Sequence, residues 1–108
     1  MIKYLDSLWR KAVMKKYHNR SVYSSLPATE VHHIVTRSKK NTRWDIENGC
    51  PLTFSEHYNL HSTVVFRNLV YEKIGKEKIE NLKRKSVQYF DKDFNRIKKT
   101  LIEALMKM

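Results

Sequence analysis

The sequence predicts a small α+β fold, in which one β-hairpin and the helix after it are flanked by further helices at both ends. Three features support this prediction. Apolar residues recur at helical spacing near both ends of the chain, two short apolar runs in its middle have the length of strands, and a helix-capping pattern follows the second run. Because 108 residues is the length of one domain, we expect residues 1–108 to form a single domain.

The first helix is predicted over residues 6–17, with Asp6 as its N-cap. Its apolar residues lie at the spacing that a buried helix face requires, and they are Leu8, Trp9, Ala12, Val13 and Tyr17. Its basic residues are expected on the outer face, and they are Arg10, Lys11, Lys15 and Lys16. Residues 18–29 are polar and contain Pro27, which predicts a loop.

A hairpin is predicted in the middle of the chain. Its strands are residues 30–35, which are rich in β-branched side chains, and residues 50–53. Between them, residues 37–48 are polar and charged, which indicates a loop. Asn48-Gly49 is a dipeptide typical of the turn that reverses a hairpin.

A helix is expected after the second strand, because Thr53 and Glu56 have the spacing of a capping box. We predict that it continues to Tyr71 and stops at Gly75, the residue type that most often follows a helix end. Residues 76–85 predict a short basic helix.

The last helix is predicted near the C-terminus, with Asp91 or Asp93 as its N-cap. Its apolar residues at helical spacing are Phe94, Ile97, Leu101, Leu105 and Met108. The chain thus divides into a central motif, residues 30–62, and a C-terminal helical extension, residues 63–108.

The composition narrows the partners and the compartment. Lys and Arg outnumber Asp and Glu by 22 to 11, and the net charge of +11 indicates a polyanionic partner, nucleic acid before an anionic membrane surface. Cys50 is the only cysteine, so neither an intramolecular disulfide nor a Cys-based zinc knuckle is available. A single cysteine is typical of a reducing compartment, and no apolar run is long enough to span a bilayer, so we expect a cytoplasmic protein with no membrane partner.

Four of the five histidines lie between residues 32 and 61, first as an adjacent pair and then as a pair four residues apart. Positions four apart share one face of a helix, so His57 and His61 can bind one ion. Adjacent residues of a strand point to opposite sides, so only one of His32 and His33 faces that ion, and the other is available as a base. Either pair alone is more often a packing or surface feature, and the prediction depends on their joint spacing.

That joint spacing resembles the motif of the HNH endonucleases, which have the ββα-metal fold. It runs His-His, fourteen residues, Asn, eight residues, His, three residues, His. The His and Asn positions are similar to those of colicin-type DNases, and the flanking residues resemble the small HNH proteins of phages. The resemblance covers residues 5–62. The matched residues are Glu30-Val31-His32-His33-Ile34, Arg37-Ser38, Arg43-Trp44-Asp45, Asn48-Gly49, Leu52, His57 and His61.

The resemblance implies a metal-dependent DNA endonuclease that hydrolyses phosphodiester bonds. It implies that His33 is the general base and that one divalent metal ion is held by His32, His57 and His61. Asn48 would tie the two strands together and so fix the orientation of His33. The metal stays open among Mg²⁺, Mn²⁺, Ni²⁺ and Zn²⁺, although imidazole ligands suit the last two better than Mg²⁺.

Three more residues gain a role from the resemblance. Glu30 matches a supporting acidic position, although a surface carboxylate at a strand end is an equal alternative. Arg37 and Arg43 lie where arginines contact phosphate, and a solvated loop charge is the alternative for each. We expect DNA to be bound mostly through its phosphate backbone, with a protein partner as the source of any sequence specificity.

The chain departs from many phage-type relatives, in which two CxxC pairs hold a structural zinc. Here the second pair would fall at Thr53 and Glu56, and no cysteine precedes His32, so no structural zinc is expected. The capping box formed by Thr53 and Glu56 is expected to take over part of the task of fixing the helix that carries His57.

Three alternatives to the nuclease remain open. The first is a non-catalytic, metal-stabilised basic DNA-binding protein in which all four histidines are structural. A closed structural site would need His33 to face the metal as well, which strand alternation opposes. The others are a basic helical binder of nucleic acid or membrane with incidental histidines, and an inactive relative of the nucleases. Metal-dependent cleavage distinguishes the nuclease from all three.

Overall fold

A computed structural model describes residues 1–90 and 93–108 and has the predicted α+β fold. In this part of the chain there are six helices and one two-stranded antiparallel sheet. None of the described helices has both the length and the apolar character needed to cross a membrane. In chain order the elements are α1 (Ile2–Lys16), β1 (Glu30–His33), α2 (Lys40–Arg43), a 3₁₀ turn (Ile46–Asn48), β2 (Gly49–Leu52), α3 (Phe54–Ser62), α4 (Val64–Ile74), α5 (Lys76–Ser86) and α6 (Phe94–Lys107).

Two apolar cores hold these elements together. The first joins α1 and α6 with Trp44, and its buried members are Leu5, Leu8, Trp9, Val13, Trp44 and Leu101. The second joins β2, α3 and α4, and its buried members are Cys50, Leu52, Leu60 and Val70. The apolar faces predicted near the two ends of the chain therefore pack together, although Met108 lies beyond the end of α6 and is exposed.

The predicted N-cap at Asp6 is wrong, because α1 begins at Ile2 and places Asp6 inside the helix. The carboxylate of Asp6 accepts hydrogen bonds from Nε and Nη2 of Arg43 at 3.0 and 2.8 Å and from Nε1 of Trp44 at 2.9 Å. Burial by itself would raise the pKa of Asp6. The hydrogen bonds from Arg43 and Trp44 outweigh that effect, so the pKa of Asp6 is below its ordinary value. Asp6 therefore anchors a distant loop to α1.

The two strands pair as an antiparallel ladder, with Glu30 opposite Leu52 and His33 opposite Gly49. The predicted reversal at Asn48-Gly49 is wrong, because Asn48 ends the 3₁₀ turn and Gly49 is the first residue of β2, with φ −94° and ψ 136°. The chain reverses instead over the whole segment 34–48, which contains α2 and the 3₁₀ turn.

Gly49 is required by close packing and not by a turn. A Cβ atom at this position would lie 2.3 Å from Cγ2 and 2.6 Å from Cγ1 of Val13 on α1. Such distances are far inside van der Waals contact, so any side chain here must displace α1 or β2. The absence of a side chain at Gly49 thus sets how closely the sheet approaches α1.

The single helix predicted from Thr53 to Tyr71 is two helices in the structure. Thr63 separates them with an extended backbone, φ −132° and ψ 131°, and its Oγ1 accepts from the backbone N–H of Phe66 at 3.2 Å as the N-cap of α4. The run of β-branched residues that begins at Thr63 disfavours helix, and a threonine also offers a cap, so the break has a local cause.

The later helix boundaries agree with the sequence. Gly75 ends α4 with φ 111°, and the basic helix predicted over residues 76–85 is α5. Asp93 is the N-cap of α6, since its Oδ1 accepts from the backbone N–H of Arg96 at 3.0 Å. The other predicted cap, Asp91, lies outside the described residues.

We expect Gly49→Ala to destabilise the protein by about 1–3 kcal/mol, because its methyl group overlaps Val13. Urea denaturation of Gly49→Ala, Val13→Ala and the double variant measures this effect. Since Val13→Ala removes the overlapping atoms, the double variant should be less destabilised than the sum of the single variants. Strictly additive losses would show that the two residues are not in conflict.

Candidate metal centre

Three histidines from two elements converge on one point. His32 comes from β1, and His57 and His61 come from consecutive turns of α3. One ring nitrogen from each lies within 4.8 Å of the others. The Nε2 atoms of His57 and His61 are 3.2 Å apart, and the ring centroid of His32 is 5.2 Å from that of each partner.

This donor set fits a divalent metal ion. Two nitrogens bound to one tetrahedral ion at 2.0–2.1 Å are about 3.3 Å apart, which is close to the separation of the His57 and His61 Nε2 atoms. Three protein ligands are also the number found in metal sites that keep a position open for water or substrate. The three residues can therefore hold an ion.

The protonation states favour metal binding. Burial, together with the neighbouring His57 and His61, lowers the pKa of His32 to about 3. Burial also lowers the pKa of His57, and the charge of Glu30 offsets part of this effect. His32 and His57 are thus neutral at pH 7, and only a neutral imidazole has a lone pair to give to a metal.

Tyr71 on α4 fixes the ring of His32. Its hydroxyl oxygen lies 3.0 Å from Nε2 of His32, and the two rings are inclined by 26°. Burial raises the pKa of Tyr71, so the hydroxyl stays protonated. Sequence reasoning missed this contact, because the spacing of Tyr71 indicates only a helix end and not that α4 folds back onto β1.

His33 points away from the three convergent histidines and packs against α1. Its ring stacks on the indole of Trp9, with the centroids 4.0 Å apart and the planes 11° from parallel. Its Nε2 lies 3.1 Å from the backbone oxygen of Arg43. A carbonyl oxygen only accepts, so Nε2 carries the proton and Nδ1 is the basic nitrogen. Burial lowers the pKa of His33, which keeps the ring neutral at pH 7.

The support of His33 depends on the ion pair between Asp6 and Arg43. The guanidinium of Arg43 donates two hydrogen bonds to the carboxylate of Asp6, from Nε and from Nη2, and 15% of the Arg43 side chain is exposed. This pair holds the carbonyl of Arg43 in place against His33. Arg43, which was predicted to contact phosphate, thus contacts His33 through its backbone oxygen, and its guanidinium is paired with Asp6.

Asn48 is buried and ties the end of β1 to the start of β2. Its Nδ2 donates to the backbone oxygen of Val35 at 3.0 Å, and its Oδ1 accepts from the backbone N–H of Val35 at 2.7 Å. Its backbone oxygen also accepts from Ile34 at 3.0 Å. These bonds fix the chain just after His33.

Glu30 and Arg37 lie on different sides of the candidate centre. Glu30 lines a shallow pocket with His57 and His61 and is close enough to influence the pKa of His57. Arg37 is exposed and close enough to influence the pKa of His33. An acidic group therefore lies beside the candidate metal ligands, and a cationic group lies near His33.

The predicted capping box at the start of α3 is confirmed and is part of a larger network. Thr53 Oγ1 accepts from the backbone N–H of Glu56 at 3.2 Å, and Glu56 Oε1 accepts from the backbone N–H of Thr53 at 2.9 Å. The same Oε1 accepts from the hydroxyl of Ser21 at 2.6 Å. The oxygen of Ser21 in turn accepts from the backbone N–H groups of Tyr23 and Ser24. The helix that carries His57 and His61 is thus fastened to the first loop.

No protein-family model, curated protein or solved structure matches this chain. The assignment of the site therefore depends on the chain's own residues, their spacing and their geometry.

We expect Tyr71→Phe to weaken metal binding roughly tenfold, because the His32 ring loses the partner that orients it. Calorimetric titration with Zn²⁺ or Ni²⁺ measures the affinity. Tyr89→Phe is the matched control, since Tyr89 is 93% exposed and should leave the affinity unchanged. Equal affinities of wild type and Tyr71→Phe would contradict the role of this hydroxyl.

The hydrogen bonds of the capping box predict that loss of Thr53 and loss of Glu56 reduce the free energy of unfolding by different amounts. Thr53→Ala should cost about 1 kcal/mol, the usual value of an N-cap. Glu56→Ala should cost more, about 2 kcal/mol or above, because one carboxylate oxygen serves both Thr53 and the buried Ser21. Urea denaturation checks both, with Glu80→Ala on the exposed side of α5 as control. A smaller loss in Glu56→Ala than in Thr53→Ala would disprove the network.

Proposed function

We propose that this chain is a metal-dependent DNA endonuclease of the HNH type, in which β1, β2 and α3 form the ββα-metal motif. One observation carries the proposal: His32 joins His57 and His61 on one side of β1, while the next residue, His33, presents a basic Nδ1 on the other. A metal site and a general base at adjacent residues are the two parts that hydrolysis of a phosphodiester requires.

The residues divide the reaction between them. A divalent ion held by His32, His57 and His61 would neutralise charge on the scissile phosphate and on the leaving oxygen. His33 accepts at Nδ1 the proton of the water that attacks phosphorus. The new P–O bond forms as the bond to the 3′ oxygen breaks, and the 3′ oxygen takes a proton from solvent water, so the expected products are a 5′ phosphate and a 3′ hydroxyl.

The surroundings of His33 suit a base that becomes charged during the reaction. The carbonyl of Arg43 accepts from Nε2 and so stabilises the imidazolium that forms. The stacked indole of Trp9 fixes the plane of the ring, which keeps Nδ1 aimed in one direction. The rate contribution of such a positioned base is about 10²–10⁴-fold.

DNA is the proposed substrate because the chain carries a charge of +11. Binding through phosphates is salt-sensitive and mostly independent of sequence, so a protein partner is the proposed source of any specificity. Arg37 is the arginine offered to phosphate beside His33, since the charge of Arg43 is paired with Asp6. The basic run Lys83-Arg84-Lys85 on α5 and the pair Lys98-Lys99 on α6 are candidates for extending the contact.

Cleavage of supercoiled plasmid tests this function. Wild type should cut after addition of Mg²⁺, Mn²⁺, Ni²⁺ or Zn²⁺ and should stop in EDTA. His33→Ala should still bind metal but cut about 10²–10⁴-fold more slowly, and His57→Ala should lose both properties. His18→Asn is the control, because His18 is exposed and has φ 55°, which asparagine tolerates. Binding of metal and DNA without cleavage by any ion would instead indicate a metal-stabilised binding protein.

A further inference from the structure

Two aromatic side chains on α3 are exposed beside the metal-binding histidines. Phe54 is 68% exposed and Tyr58 is 65% exposed. With His57 and His61 they follow the spacing i, i+3, i+4, i+7, so both rings and both imidazoles lie along one side of the helix. All four residues line one shallow pocket of about 220 Å³. We call Phe54 and Tyr58 the aromatic platform.

The exposure of the platform is not explained by the fold. In the part of the chain that the structure describes, neither ring belongs to either apolar core. Large apolar side chains that are grouped on a surface mark binding sites more often than chance, whereas single ones need no explanation. Here the group lies next to three convergent metal ligands, so a ligand that reaches the metal also reaches the rings.

The net charge of the chain, +11, favours a polyanionic ligand, and Glu30 is the one charged residue among those that line the pocket. The described arginines nearest to it lie on neighbouring elements. Arg37 lies near His33, Arg67 lies near Tyr71, and Arg10 donates to the backbone oxygen of Thr29, next to Glu30. Exposed aromatic rings on a basic protein are a usual means of binding single-stranded nucleic acid, because bases stack on the rings while cations elsewhere on the surface follow the phosphates. In a duplex the base faces are already stacked, and a flat ring finds none to contact.

We propose that the aromatic platform binds unpaired bases, so that the substrate enters the metal centre as a single strand or as an unpaired segment. This proposal builds on the proposed nuclease for the cleavage step, but the binding step stands without it. A protein partner is the less favoured occupant. The exposed aliphatic residues that would serve one, Val64, Val65 and Leu69, lie on α4 and outside the lining of the pocket.

Binding in EDTA tests the platform separately from catalysis. Fluorescence anisotropy is measured with three labelled ligands of the same length: (dT)₁₂, an abasic strand and a 12-base-pair duplex. Their bases are exposed, absent and paired, respectively. Three variants of the full chain are compared with wild type. They are Phe54→Ala/Tyr58→Ala, which removes both rings, Phe54→Tyr/Tyr58→Phe, which keeps them, and Val65→Ala/Leu69→Ala, the aliphatic control.

Wild type should bind (dT)₁₂ about tenfold or more tightly than the abasic strand, since stacking on one ring is worth this much. The variant without rings should lose that preference and keep its affinity for the abasic strand, while the other two variants behave as wild type. Equal binding of (dT)₁₂ and the abasic strand by wild type, or unchanged (dT)₁₂ binding without the rings, would overturn the proposal. So would self-association that depends on the rings with no change in oligonucleotide binding, because the face would then join two copies.

Because these measurements need no cleavage, they separate the two proposals. A chain that shows the base preference but never cuts keeps the platform and loses the nuclease. A chain that cuts duplex and single strand alike, with no base preference, keeps the nuclease and loses the platform.

Discussion

The pairing of β1 with β2 determines the candidate site, because the direction in which His32 and His33 point follows from the register of that pairing. Side chains alternate across a strand, so a slip by one residue would exchange the two histidines between α1 and α3. The register is held at the site itself. Asn48 binds both backbone groups of Val35, and Gly49 lies against Val13 at a distance that no other residue permits.

A two-stranded sheet is marginal on its own, so this pairing depends on what covers it. All four residues of β2 are buried. The core of α1 and α6 lies on the side of His33, and the core of α3 and α4 lies on the side of His32. The central motif is therefore incomplete without the flanking helices. Trp9 on α1 stacks on His33, Asp6 on α1 holds Arg43, whose backbone oxygen contacts His33, and Tyr71 on α4 contacts His32.

The features that the sequence predicted are those whose cause is local. The apolar face of α1, the capping box at Thr53 and Glu56, and the end of α4 at Gly75 each depend on residues within one or two helical turns. The candidate metal ligands were also predictable, because i and i+4 on a helix share a face whatever the rest of the chain does. Strand alternation left open which of His32 and His33 faces that pair, and the choice of His32 came from the resemblance to the HNH motif.

What the sequence did not predict depends on partners distant along the chain. Asp6 has the local appearance of an N-cap, but its partners Arg43 and Trp44 are 37 and 38 residues away. Gly49 has the appearance of a turn glycine, but the reason for it is Val13. In both cases the residue type was informative and the cause assigned to it was wrong. The sequence pattern indicates that a residue has a structural role, but the partner that explains the role is known only from the fold.

The hydrogen bonds at the start of α3 show how a chain with one cysteine can hold two candidate metal ligands, His57 and His61, in place. A single cap is worth about 1 kcal/mol, whereas a structural zinc contributes about 10–16 kcal/mol. The capping box here is extended through Ser21 to two backbone groups of the first loop, and Leu60 on the opposite side of α3 lies in the second core. None of these contacts involves His32, His57 or His61. The contacts that hold α3 in place are thus made by residues other than the three candidate ligands.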